Sequence, residues 1–181
     1  MDKEKRIDYV SEVNIQGEIV LPIGHYTIIN SSYKTFDSKP KISIHGLGSC
    51  IAPIIYDKEQ KIVGMSHILL PTSNNRNTIT HPHKYANLSI KYLVEELIKH
   101  GANPKNLESI IVGGANIFKD PRCQIGDENI KATKEELKKH KIKIKKEETG
   151  GNLGRILIFD TKDFSVSIKS SGNDNFKKNI L

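Results

Sequence analysis

Between residues 42 and 70 three apolar runs follow one another with only short turns between them. They are Ile42–His45, Ile51–Tyr56 and Lys61–Leu70, separated by Gly46–Cys50 and by Asp57–Gln60. Runs this short, rich in isoleucine and valine and bounded by turn residues, read as strands. The four-residue link between the second and third is of hairpin length, so those two are expected to pair.

The rest of the chain is arranged around this unit. Residues 19–29 (IVLPIGHYTII) have the β-branched content of short strands, and 30–41 read as a loop. A polar loop spans 71–84. From Tyr85 to His100 the period changes: Ala86, Ile90, Leu93, Val94, Leu97 and Ile98 fall on one helical face, with Gly101 where a C-cap belongs. Ser109–Val112 reads as a buried strand ending at Gly113-Gly114. Thr133, with Glu136 three residues on, reads as the capping box of a second helix. The alternation of Ile142 and Ile144 with lysines predicts a half-exposed strand, and Arg155–Phe159 with Phe164–Ile168 a closing hairpin. Strands and helices interleave without strict βαβ alternation. The expected fold is α/β, a single domain with a mixed β-sheet covered by helices. Residues 1–18 are expected to be a loosely packed polar extension, 19–169 the domain and 170–181 a polar tail.

Length and charge narrow the function. The 181 residues suffice for one hydrophobic core. No apolar run approaches the ~20 residues that cross a bilayer, and the charged opening MDKEKRIDYV lacks a signal-peptide core. Membrane insertion is not expected, and the expected localisation is cytoplasmic, where Cys50 and Cys123 would stay reduced. The net charge is +7, concentrated in 131–146 (KATKEELKKHKIKIKK). Glutamates interrupt that stretch, as on a solvated helix face, and no nucleic-acid motif accompanies it, so no nucleic-acid partner is expected.

The chemistry-bearing segment is Gly46-Leu47-Gly48-Ser49-Cys50. Two glycines before a cysteine allow a sharp turn whose amides can converge on one point, as an oxyanion hole requires. From these letters alone a glycine hairpin with a buried cysteine is the favoured reading. His67 alternates in phase with Met65 and Leu69 inside an apolar strand. Its nitrogens need partners there, so it is either a satisfied core histidine or an imidazole paired with a thiol, an arrangement that yields a thiolate at neutral pH. His81 and His83, with His25 or His45, are an alternative metal set, but no metal or other cofactor is expected. Cys123 sits in a loop with no evident base and is read as non-catalytic. Gly113-Gly114 lacks the rest of a phosphate-binding pattern.

Six segments, HGLGSCIAPIIYD (45–57), VGMSHILLP (63–71), KYA (84–86), VGGANIF (112–118), IGDEN (125–129) and ETGGNLGR (148–155), stand in the order and spacing of the CheD family. The resemblance covers about residues 19–169. It implies an α/β fold related to deamidating toxins, and a protein-glutamine deamidase that converts glutamines of methyl-accepting chemotaxis receptors to glutamate through a cysteine thioester. It implies Cys50 as nucleophile and His67 as its catalytic partner, with a CheC-type phosphatase as a further partner. Ile44 stands where the family's threonine is expected, and Glu128 where an arginine is usual. A catalytically weak binding protein on the same fold, docking on a CheC-type phosphatase or a receptor, is the alternative.

Overall fold

In a computed structural model of the chain, residues 8–30, 40–73, 80–117, 124–172 and 175–179 are described. Among the described residues, ten strands and two α-helices form three layers. The first sheet has the order β2 (Tyr26–Asn30), β5 (Ile62–Ser66), β4 (Ile51–Asp57), β6 (Glu108–Gly113) and β7 (Lys143–Thr149). The second has the order β1 (Glu18–Val20), β3 (Lys41–Leu47), β8 (Arg155–Asp160), β9 (Ser165–Ser170) and β10 (Lys177–Asn179). The α-helices are α1 (Ala86–Lys99) and α2 (Ile125–Lys139), and two short 3-10 turns lie at Pro82–Lys84 and Pro104–Asn106.

Two cores follow from the alternation of side chains along the central strand β4. Ile51 and Ile55 point to one face and pack with Ile90, Leu93 and Leu97 of α1 and Leu137 of α2. Ala52, Ile54 and Tyr56 point to the other face and pack with Ile42, Ile44, Leu157 and Phe159 of the second sheet. Every residue of β4 is buried, which is why it reads as an unbroken apolar run. Strand β8 alternates buried and half-buried positions, as a strand covered on one face does.

The expected hairpin forms: β4 and β5 pair antiparallel, with Ile54 opposite Met65 and Asp57 opposite Ile62. The fold is α/β and a single domain, with the helices on one face of a mixed sheet. The other face carries a second mixed sheet rather than solvent. Helix α2 starts at Ile125, eight residues before Thr133, which lies buried inside it. Its inward face carries Gly126, Asn129, Thr133 and Glu136, so the apolar period that marks α1 is missing. Part of the stretch 8–18 is tied to the domain. Val10 N–H donates to Tyr26 O, Tyr26 N–H to Asp8 O, and Val10 and Val13 rest on the inter-sheet core. Residues 177–179 return as β10 along β9. The basic stretch is partly neutralised by Lys134–Glu147, Lys139–Glu136 and Lys145–Glu108 pairs. Among the described residues no helix is long and apolar enough to cross a membrane.

Candidate active site

At one end of the sandwich the described connections β1–β2, β3–β4 and β7–β8 pass from one sheet to the other. Strand β3 ends there and β4 begins, β6 and β7 end together with Gly113 beside Thr149, and β8 begins with Arg155 beside Leu47. The β3–β4 connection is the three-residue turn Gly48-Ser49-Cys50. Its carbonyls are all engaged: Gly48 O accepts from Ala115 N–H at 2.9 Å, Cys50 O from Gly114 N–H at 2.7 Å, and Ser49 O from Asn129 Nδ2 at 2.8 Å. Gly113 makes this close approach possible. Its φ is +114°, and a Cβ there would lie 2.4 Å from Cys50 O. The pair Gly113-Gly114 is thus the buttress of the cysteine turn.

His67 follows β5 directly. Ile51 and Ile68 exchange both backbone hydrogen bonds, at 3.0 and 2.9 Å, in an isolated antiparallel bridge beyond the end of β5. That register sets Cys50 across from Leu69 and Ala52 across from His67. All four side chains then share the inter-sheet face, with Cys50 and His67 on a diagonal of about 7–8 Å between backbones. Both are nearly enclosed, Cys50 at 8% exposure and His67 at 4%.

The His67 ring is oriented by the main chain. Its Nδ1 lies 3.0 Å from Leu21 O, in the connection from β1 to β2. A carbonyl can only accept, so Nδ1 carries the proton and Nε2 of the neutral ring keeps its lone pair. That Nε2 is buried with no partner among the described residues. Buried polar nitrogens are seldom left idle, and an unprotonated one near a thiol is equipped to take its proton.

Burial also decides the resting charge. Desolvation lowers the His67 pKa, opposed by the Leu21 hydrogen bond and aided slightly by His25. Desolvation raises the Cys50 pKa, opposed by the approach of its own amide N–H. Both shifts favour the uncharged forms of the two groups and run against the resting thiolate that a thiol–imidazole pair was expected to yield.

The other singled-out residues lie elsewhere. His81 pairs with the buried Asp8 at 2.7 Å, and His25 Nδ1 donates to Ile23 O at 3.0 Å. His45 contacts Ser43 and Glu18. His83 is buried at 2% exposure, stacks on Tyr26 with centroids 4.0 Å apart, and bonds Ser89. These histidines do not converge, and no three metal-ligating side chains cluster among the described residues. Ile44 is wholly buried opposite Leu157, within the inter-sheet core. Glu128 is exposed in the first turn of α2, where a negative charge suits the helix dipole. Cys123 lies outside the described residues.

Residues 69–170 match the profile of the CheD family, described as CheD chemotactic sensory transduction. The chain belongs to the CheD family. Among curated relatives, the probable chemoreceptor glutamine deamidase CheD 1 of Methanosarcina acetivorans is 42% identical over 130 residues, covering 72% of this chain and 82% of that one. The probable chemoreceptor glutamine deamidase CheD of Clostridium botulinum is 45% identical over 136 residues, covering 73% and 84%. That of Caldanaerobacter subterraneus is 42% identical over 132 residues, covering 71% and 82%. A solved structure, the hypothetical protein YfiH of Bacillus licheniformis, has a TM-score of 0.42 and 14% identity over 68% of this chain and 49% of that one. That likeness is too distant to bear on function. The CheD profile match begins two residues after His67 and so includes neither Cys50 nor His67.

Proposed function

We propose that this CheD-family chain hydrolyses the side-chain amide of chemoreceptor glutamines, with Cys50 as nucleophile and His67 as its base. One observation carries the residue assignment: a buried imidazole with Nδ1–H committed to Leu21 O and a free Nε2, on the face and diagonal of the lone cysteine among the described residues. The relatives' shared name carries the substrate.

The receptor glutamine enters with its amide carbon against the Cys50 sulfur. His67 Nε2 takes the thiol proton as the S–C bond forms and the carbonyl oxygen gains charge. With the carbonyls of Gly48, Ser49 and Cys50 held outward, the amide N–H groups of that turn are the donors for the oxyanion, each worth on the order of 3 kcal/mol. Protonated His67 then passes its proton to the departing nitrogen, and ammonia leaves. A water loses its proton to the same Nε2 and attacks the thioester; the thiolate leaves and is reprotonated, and glutamate remains. A neutral resting pair suits this sequence, because charge is created only when the oxyanion arrives to balance it. It also spares the thiol from oxidation, which proceeds through the thiolate.

The Leu21 carbonyl takes the place that Ile44 cannot fill, since it fixes the tautomer without a side-chain partner. The work would be done in the cytoplasm, where a free thiol survives. The family likeness also supports a CheC-type phosphatase as a second partner, to be tested by co-purification. For the activity itself, receptor fragments incubated with the protein should show a Gln→Glu mass gain with ammonia released. Cys50→Ala should lower the rate by about 10⁴-fold or more. Tight receptor binding with no mass gain would favour the non-catalytic binding protein instead.

A further inference from the structure

The antiparallel pairing of the Cys50 and His67 strands stops at Ile51 and Ile68. The next hydrogen-bonded rung would join Ser49 to Leu70. It cannot form, because Leu70 N–H donates to Lys84 O and Leu70 O accepts from Ala86 N–H. Leu69 N–H is drawn the same way, to Lys84 O. The two segments that carry the reacting groups therefore part just where those groups must be held.

Asn129 closes this gap. It is wholly buried on α2. Its Nδ2 donates to Ser49 O at 2.8 Å and to Leu69 O at 3.0 Å. Ser49 immediately precedes Cys50, and Leu69 lies directly across from it, two residues after His67. One amide group, with its two hydrogens, thus spans both segments in place of the missing rung. Packing alone does not account for an asparagine here. Its Oδ1 is buried with no partner among the described residues, so the amide costs more to bury than a leucine of similar size. What it returns is the pair of donors.

We propose that Asn129 is a positioning residue for the Cys50–His67 pair, its amide tying the nucleophile's turn to the base's strand where their own pairing ends. The proposal rests on the assignment of Cys50 and His67 above. It also explains why α2 carries polar letters on its inward face: the helix serves the turn as well as the core.

The test compares Asn129→Ala and Asn129→Asp with Leu137→Ala, a cavity variant of the same helix whose side chain is equally buried and has no polar group to bond the turn. Asn129→Asp keeps the shape but turns oxygens toward both carbonyls. Three readouts are taken on the full-length protein: urea stability, kcat and KM on a receptor fragment, and the rate of Cys50 alkylation by iodoacetamide against pH. A misplacement of about 1 Å at a reacting centre costs on the order of 10²-fold. Asn129→Ala should therefore lose about 10²-fold in kcat with KM changed less than about threefold. The alkylation profile should shift from wild type, while Leu137→Ala loses stability and keeps both kcat and profile. Should Asn129→Asp fail to fold, Asn129→Ala carries the comparison. Wild-type kcat and an unmoved alkylation profile in Asn129→Ala would overturn the proposal. Alkylation needs no receptor, so the two readings separate. A wild-type protein that does not deamidate but whose thiol profile shifts with Asn129 defeats the deamidase reading and leaves the positioning role standing.

Discussion

Two buried histidines pack on opposite faces of the same sheet, and only His67 shares its face with Cys50. On the helix side, Ser89 donates its single hydroxyl proton to Ser66 Oγ at 2.9 Å, so His83 Nδ1–H must donate to Ser89 Oγ at 3.1 Å. The His83 ring is stacked on Tyr26 of β2 and bonds Ser89 of α1, so it ties that helix to the sheet. On the inter-sheet side, His67 donates once, to Leu21 O, and its other nitrogen has no partner among the described residues. The difference teaches that burial alone does not set a histidine's role: His67 is the one that keeps a buried nitrogen without a partner among the described residues, and the proposed assignment rests on that nitrogen.

The sharpest way to break this contrast is to change each histidine in turn. His67→Gln keeps a donor for Leu21 O but offers no basic nitrogen, and should lower deamidation kcat by about 10³-fold or more at nearly unchanged stability. His83→Ala should do the reverse, costing about 2–4 kcal/mol of stability in urea melts while the folded enzyme keeps its kcat within about threefold. Equal losses of activity in both would erase the distinction.

Gly113→Ala probes the buttress on the active side. A Cβ at 2.4 Å from Cys50 O cannot be accommodated without moving the turn, and the positive φ adds strain of about 1–3 kcal/mol. Stability should fall by about 2–4 kcal/mol, and the remaining folded protein should have a lower kcat. A smaller effect is expected from Ile44→Thr, which restores the family's usual residue type. Position 44 is wholly buried among apolar side chains, so the hydroxyl should cost about 1–3 kcal/mol. With Leu21 O already holding His67, kcat should not rise. A tenfold gain would show that the carbonyl is an inadequate substitute.

What was legible in the sequence divides along the same lines. Helix α1 and the β4–β5 hairpin were readable because their letters repeat at 3.6 and by hairpin spacing. Helix α2 was misread, since Asn129, Thr133 and Glu136 on its buried face hide the period and Thr133 imitates a cap. The second sheet was missed because its pairing, such as Ile42 with Phe159, joins segments over a hundred residues apart. Cys50 and His67 stand out as candidates from their turn, strand and resemblance. The group that orients His67 does not, because it is the backbone of Leu21 and a carbonyl leaves no trace in residue type. Gly113 and Asn129 stood within recognised segments, yet their roles emerge only when Cys50 O and Ser49 O come beside them.

The neutral pair has consequences for pH that follow from the directions of its shifts. The fold disfavours charged His67, so the unfolded chain takes up that proton first as pH falls. The stability tied to His67 is whole above about pH 6.5 and drains as pH drops through the lowered native value. For Cys50 the stability is whole below about pH 8.5 and is lost as pH climbs through the raised native value.

The most direct test is a ¹⁵N NMR titration of the histidine-labelled free protein, with His67 assigned through His67→Gln. The account predicts a neutral His67 at pH 7 with the proton on Nδ1 and Nε2 bare, titrating below about 6.5. A His67 that is charged at pH 7, or that carries its proton on Nε2, would contradict it.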